Sequence, residues 1–354
     1  MKWLLILTAV VLVLFGAGVM FLAREAPVPE FTIPDDATAV LEDPRFALPQ
    51  GWAWEQLESG GGTVRWGHTQ PEDARGVVLF LPGYSAPLEL YFEAFSIMRE
   101  AGYAVVAMDW PAQGASSRGT ENPQKIHATS RLDGHVAAAE AISREMDRRF
   151  AGMPRFAVGL SMGAQLGTRL VSGSGRFQAA ALITPAYGLA NGRPSGAELF
   201  LLRTLNALGF GARYAPGATD WTFDMDAHTG AASECSLPNE RTKLFSACMV
   251  ATERIKVGGM INALAMAMIE SGRFASSDAV LDGVTIPVWM PLAEDDRFVD
   301  NAVASAACGQ LRDCELKVYA EARHCLFEEA DDWYQPFMTD LVAFLDSHVE
   351  PVTP

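Results

Sequence analysis

Ser161 lies in Gly159-Leu160-Ser161-Met162-Gly163, the G-x-S-x-G pattern that places a nucleophilic serine on a sharp strand-to-helix turn. The small and apolar residues 156–160 predict a buried parallel strand, and a helical apolar pattern follows the motif. The two glycines would allow strand and helix to approach closely. We expect an exposed Ser161 hydroxyl and a Met162 amide that points at a developing oxyanion. A chance match in a chain with 31 glycines is the alternative.

A serine nucleophile needs a base, and His324 is the best placed of the six histidines. It follows the predicted strand 315–319, and the carboxyl ends of parallel strands are where such sheets present catalytic groups. The acid that orients the imidazole should follow the preceding strand, 286–292, where Asp296 is the best candidate. Competing acids in the same loop are Glu294 and Asp295, whereas Asp300 is expected to cap the next helix.

A second oxyanion donor should come from the turn after the apolar strand 76–81. This strand ends in Pro82-Gly83-Tyr84, and we expect the Tyr84 amide to be the donor. The alternative interpretation is that Pro82-Gly83 is only a turn.

These groups must be positioned by the regular alternation of strand and helix patterns, which predicts an α/β fold with a mostly parallel, helix-covered sheet. An early hairpin, 52–57 with 63–68, precedes the alternation. The alternation of strands and helices is interrupted at about 187–281, where apolar helical stretches flank a polar segment. An inserted helical lid is therefore expected there. The chain closes with an amphipathic helix over 333–348.

The N-terminus predicts membrane contact. Residues 3–23 carry no charge, a length that spans a bilayer core as a helix, so 1–23 is expected to be an uncleaved transmembrane anchor. A signal peptide cleaved near 16–18 is the alternative. The Pro-rich, acidic stretch 24–50 is interpreted as a tether and 51–354 as the catalytic domain. Lys2 and Arg24 flank the span almost evenly, but the free amino terminus and the acidic segment 25–43 favour an exported domain, facing the periplasm if the source is bacterial.

Composition excludes several classes of function. The net charge of −16 repels phosphate backbones, so no nucleic-acid partner is expected. No His/Cys cluster has zinc spacing and no nucleotide site is visible, so neither a metal nor a cofactor is expected.

The five cysteines are compatible with two disulfides, Cys308 with Cys314 and Cys235 with Cys248, leaving Cys325 free. Five ordinary thiols are equally compatible with the sequence.

Five motifs together carry a resemblance to a known family. They are Leu81-Pro82-Gly83-Tyr84, Asp109-Trp110-Pro111-Ala112-Gln113-Gly114-Ala115-Ser116, the Ser161 motif, Ala293 to Asn301, and Ala322 to Glu328. In these the chain, over about 51–348, resembles the α/β-hydrolases of the lysophospholipase and monoacylglycerol-lipase group, also called serine aminopeptidase S33-like or Hydrolase_4.

The resemblance implies an eight-stranded sheet, a helical cap over the site and an acyl-serine mechanism. It maps the nucleophile, acid and base onto Ser161, Asp296 and His324, in the Ser…Asp…His order of that fold. Two departures stand out: the usual His-Gly before the oxyanion loop is Pro82-Gly83 here, and the usual His before the serine is Leu160.

The sequence therefore predicts a membrane-tethered serine hydrolase of carboxylic esters, with a lysophospholipid or monoacylglycerol as the first substrate hypothesis. Apolar lid residues could line an acyl slot or could simply form the lid core; they are Leu199, Leu202, Leu205, Phe210, Met260, Leu264 and Met268. One alternative is an aminopeptidase, whose substrate ammonium could meet the lid acids Glu198, Asp224, Asp226 and Glu234. An alternative of another class is a non-catalytic, membrane-bound binding module.

Overall fold

The computed structural model describes residues 16, 18, 20, 24–59, 62–119, 121–128, 130–190, 194–223 and 234–349. The predicted anchor, 1–23, lies outside the described residues apart from three isolated positions. Among the residues that are described, no helix has both the length and the apolarity needed to cross a membrane.

In this part of the chain eight strands form one sheet, in the spatial order β1-β2-β4-β3-β5-β6-β7-β8. The pairs β1–β2 and β2–β4 are antiparallel and all other pairs are parallel. The predicted eight-stranded, mostly parallel sheet is thus confirmed. The strands are β1 Ala53–Ser59, β2 Gly62–Thr69, β3 Gly76–Leu81, β4 Tyr103–Met108, β5 Arg155–Leu160, β6 Ala179–Ile183, β7 Val288–Ala293 and β8 Cys314–Tyr319.

The central strands are apolar because helices cover both faces of the sheet. Every residue of β3 is buried, and its alternate side chains enter two separate cores, with Val77, Leu79 and Leu81 in one and Val78 and Phe80 in the other. The edge strand β1 instead alternates between exposed and half-buried residues. The described α-helices are α1 Phe92–Glu100, α2 Asp133–Arg149, α3 Met162–Val171, α4 Gly196–Ala207, α5 Leu244–Ala251, α6 Asn262–Ala275, α7 Asp278–Leu281, α8 Asn301–Gln310 and α9 Asp331–Asp346.

Residues 184–287, here called the insert, connect β6 to β7 and contain α4 to α7. The helix α4 begins with a capping box in which the Ser195 side chain accepts from the Glu198 amide. Its Asn206 side chain donates to the carbonyl of Asn262 at 3.1 Å, which ties α4 to α6. The insert occupies the region where the sequence predicts a helical lid.

The segment 24–50, predicted as a tether, packs on the domain. Val40 and Phe46 are buried in its core, and the Glu25 carboxylate accepts a hydrogen bond of 3.1 Å from the Tyr214 amide in the insert. Apolar side chains lie among the acidic ones in this segment, and burying them against the domain is favourable. The Pro-rich composition alone does not indicate this packing.

Candidate active site

Ser161 stands between β5 and α3 in a strained backbone conformation, with φ +55° and ψ −113°. Main-chain hydrogen bonds hold it there: its amide donates to the Ile183 carbonyl at 2.9 Å, and its carbonyl accepts from the Gln165 amide at 3.0 Å. A positive φ is unfavourable for a residue with a Cβ, so the surrounding bonds must stabilise this turn. The geometry is that of a serine presented at a sharp elbow.

The glycines of the motif are required by close packing. A Cβ at position 159 would lie 2.6 Å from the Gly163 carbonyl oxygen, and one at position 163 would lie 2.6 Å from the Pro82 carbonyl oxygen. The start of α3 therefore presses directly on β5 and on the turn after β3.

His324 and Asp296 are joined by a hydrogen bond of 2.7 Å between Nδ1 and Oδ2. The Asp296 side chain is fully buried and the imidazole is only 6% exposed. The second carboxylate oxygen of Asp296 accepts from the amides of Phe298 and Val299, both at 2.9 Å. These bonds fix the carboxylate, and the carboxylate in turn fixes the ring so that Nδ1 carries the hydrogen and Nε2 is left to accept a proton.

The neighbouring acids have other partners. Asp295 pairs with Arg297 at 3.0 Å and is about half exposed. Glu294 accepts from the Glu321 amide at 2.9 Å. Asp300 caps α8 through the Ala302 amide at 2.9 Å, in the role that the sequence suggested. Of the competing carboxylates in this loop, Asp296 is the one that contacts the imidazole.

Ser161 and His324 line one cavity of about 420 Å³, together with Gly83 and Tyr84. Within the described residues no hydrogen bond joins the Ser161 hydroxyl to the ring; in unliganded enzymes such bonds often tighten only when substrate binds. The walls are mainly apolar. The apolar and aromatic side chains that line them include Leu189, Trp221, Phe245, Val257, Met260, Met268 and Phe298.

Of the two predicted oxyanion donors, Tyr84 lines this cavity, and Met162 directly follows Ser161 in the chain. Met162 is the first residue of α3, where an amide has no partner inside its own helix. The Gly83 amide is directed to the Tyr91 hydroxyl at 3.4 Å, so the amide of Tyr84 is the next available one in the turn. Burial raises the pKa of the Tyr91 phenol, which therefore remains protonated.

Only part of the predicted acyl slot lines the cavity. Met260 and Met268 do, whereas Leu205 packs with Phe210 in a small cluster and Leu264 is buried in the core that contains Val77 and Leu79. Leu199 and Leu202 are also absent from the walls. The aromatic walls Trp221, Phe245 and Phe298 were not predicted, because no periodicity in the sequence distinguishes a cavity wall from a core residue.

Of the predicted lid acids, Glu198 serves in the α4 cap, Glu234 is exposed, and Asp224 and Asp226 lie outside the described residues. Among the described residues, the acids that line the cavity are Asp220 and Glu328. Asp220 already accepts from the Asn122 side chain at 2.8 Å.

The disulfide pairing suggested for Cys235 and Cys248 is wrong. Cys235 pairs with Cys325, while Cys248 is a buried free thiol whose pKa is raised by burial. Cys308 pairs with Cys314 as expected. Distance along the chain misled because the fold brings the insert against the loop that carries His324.

A family model described as serine aminopeptidase, S33 (Hydrolase_4) matches residues 72–331. A soluble variant of monoglyceride lipase from Saccharomyces cerevisiae, solved with a substrate analog, aligns with a TM-score of 0.65 at 16% identity, covering 93% of this chain and 100% of that one. Monoacylglycerol lipase from Paleococcus ferrophilus aligns with a TM-score of 0.62 at 18% identity, covering 82% of this chain and 100% of that one.

A thermostable carboxyl esterase from Bacillus coagulans, solved with glycerol, aligns with a TM-score of 0.68 at 14% identity, covering 85% of this chain and 100% of that one. At these identities the likeness shows a shared fold. No curated protein sequence matches the chain.

Proposed function

Because the chain belongs to the serine aminopeptidase S33 family of α/β-hydrolases, we propose that it is a serine hydrolase that cleaves carboxylic esters of lipids. The observation that carries the proposal is the buried Asp296–His324 hydrogen bond on the wall of the same apolar cavity as the elbow serine. The proposed catalytic residues are Ser161, His324 and Asp296.

In the proposed reaction the Ser161 oxygen attacks the ester carbonyl carbon while His324 Nε2 takes the hydroxyl proton. The Met162 and Tyr84 amides hold the resulting oxyanion. When the intermediate collapses, the carbon–oxygen bond to the alcohol breaks and the imidazolium returns its proton to that alcohol. A water molecule then repeats the sequence on the acyl-serine and releases the acid.

The substrate we propose is a lysophospholipid or a monoacylglycerol. The apolar walls around Ser161 suit an acyl chain, since burying each methylene contributes about 0.8 kcal/mol. The fold likeness to two monoglyceride lipases is consistent with this choice.

We further propose that residues 1–23 anchor the enzyme and that its catalytic domain is exported. The uncharged N-terminal stretch and the two disulfides support this location, because disulfides persist mainly in oxidising compartments. Non-reducing mass spectrometry of protein from the native host tests it, and wholly free thiols would contradict export.

The enzymatic proposal is tested with a fluorophosphonate probe, which phosphonylates an activated serine. We expect labelling of the wild type and of Ser174→Ala, a control outside the cavity, and no labelling of Ser161→Ala. Parallel assays with p-nitrophenyl acyl esters and amino-acid p-nitroanilides should show turnover of the esters. A folded protein that resists the probe would contradict the hydrolase proposal, and preferential turnover of anilides would favour the aminopeptidase.

A further inference from the structure

Two buried side chains hold the turn that carries the Tyr84 amide. The indole Nε1 of Trp110 donates to the Pro82 carbonyl at 2.8 Å, and the Oε1 of Gln113 accepts from the Ser85 amide at 2.7 Å. Each of these two side chains is only 1% exposed. The two bonds restrain the main chain at Pro82, directly before Gly83, and at Ser85, directly after Tyr84.

The turn needs such support because it is strained. Ser85 has a φ of +61°, in the left-handed region that disfavours residues with a Cβ. The direction of the Tyr84 amide depends on the backbone torsions of this turn, and an oxyanion donor acts only when its hydrogen points at the place where charge develops. A loss of restraint on Pro82 or Ser85 would therefore turn the amide.

The segment that supplies both side chains, 109–118, is itself anchored. The buried Asp109 carboxylate accepts from the Leu88 amide at 3.2 Å and the Ala115 amide at 2.9 Å, and it pairs with Arg65. Arg118 donates to the carbonyls of Gly114 at 2.8 Å and of Ile255, in the insert, at 2.9 Å. Trp110 and Gln113 thus project from a segment that these hydrogen bonds and the ion pair hold in place without a bound substrate.

We propose that Trp110 and Gln113 are positioning residues that set the direction of the Tyr84 amide toward the oxyanion. The inference rests on the proposed function. Pro82 has no side-chain donor that could hold the turn. The main chain of the turn is held instead by two side chains that follow β4, the strand beside β3.

The test uses Trp110→Phe, which keeps an aromatic ring and removes the N–H, and Gln113→Leu, which removes the acceptor. With a p-nitrophenyl acyl ester we expect each to lower kcat about 10- to 100-fold, less than the loss of a whole donor, with KM within about twofold. Affinity for an alkyl trifluoromethyl ketone, a mimic of the tetrahedral adduct, should fall by the same factor. Affinity for the matching unreactive alkyl ether should stay unchanged.

Gln113→Glu, which keeps an acceptor oxygen for the Ser85 amide, should restore most of the activity lost in Gln113→Leu. Trp289→Phe is the matched control and should keep its kcat. Its indole is also buried, but in the core that contains Val78 and Phe80, whereas Trp110 lies in the core that contains Val77 and Leu79. Unchanged kcat in Trp110→Phe and Gln113→Leu would overturn the inference, as would an equal loss of ketone and ether affinity. A wild type without esterase activity or probe labelling would instead overturn the proposed function, and this inference with it.

Discussion

Cys235 and Cys325 form a disulfide that joins the insert to the residue directly after His324. The Cys325 amide also donates to the Cys235 carbonyl at 2.6 Å, and both residues line the cavity. A covalent bond and a main-chain hydrogen bond therefore tie the loop that carries the imidazole to the insert.

Replacing both members of this pair by serine should destabilise the protein strongly. The bond spans 90 residues, for which the chain-entropy model gives about 4 to 5 kcal/mol. The Cys308–Cys314 bond spans only 6 residues, and its removal should cost about 2 kcal/mol. Urea unfolding under non-reducing conditions measures both double variants, and equal losses would contradict the expectation.

Asp296→Asn should lower kcat by about three to four orders of magnitude. Asparagine can still accept from the Phe298 and Val299 amides, but its NH₂ group cannot accept the Nδ1 proton, so the ring is held in the wrong tautomer. Asp295→Asn, beside it in the chain, is the control and should keep most of the activity. Comparable rates for the two variants would show that the carboxylate does not orient the base.

Gly163→Ala should disrupt the serine elbow. A Cβ there would lie 2.6 Å from the Pro82 carbonyl oxygen, and we expect a loss of at least about 2 kcal/mol of unfolding free energy. Gly196→Ala, at the start of α4, is the matched control because, among the described residues outside its chain neighbours and its own helix backbone, no atom lies within 4 Å of a Cβ added there. Its stability should stay within about 0.5 kcal/mol of wild type by thermal unfolding. A tolerated alanine at position 163 would argue against this packing.

His135 should make the protein less stable in mild acid. It is buried on α2 beside the Trp110 ring, and burial lowers its pKa to about 4, against about 6.5 for an unfolded histidine. As the pH falls from about 6.5 to about 4 the unfolded state binds a proton that the folded state excludes, so up to about 3 kcal/mol of stability is lost across that window.

His135→Gln removes this titration. Unfolding free energies at pH 7 and pH 4.5 should fall less between the two values in the variant than in the wild type, and the shared carboxylates cancel in that comparison. Parallel changes in the two proteins would contradict an excluded proton at this histidine.

The sequence alone determined the fold class and the parts of the site that local patterns encode. The apolar run of β3 and the alternation of strands and helices follow from burial on both faces of a parallel sheet, and this prediction is confirmed. The glycines at 159 and 163 likewise follow from one strand-to-helix turn. Even the cap at Asp300 could be predicted, because a helix end is a property of a few adjacent residues.

Only the tertiary structure decided which distant groups meet. Asp295 and Asp296 are neighbours of the same type, yet only Asp296 reaches the His324 ring, because the loop geometry directs one carboxylate inward and the other toward solvent. The Cys235–Cys325 bond, the aromatic cavity walls and the grip of Trp110 and Gln113 on the oxyanion turn depend in the same way on contacts between remote segments. Such contacts carry no periodic signal along the chain, since they arise from how the packed elements come together in space.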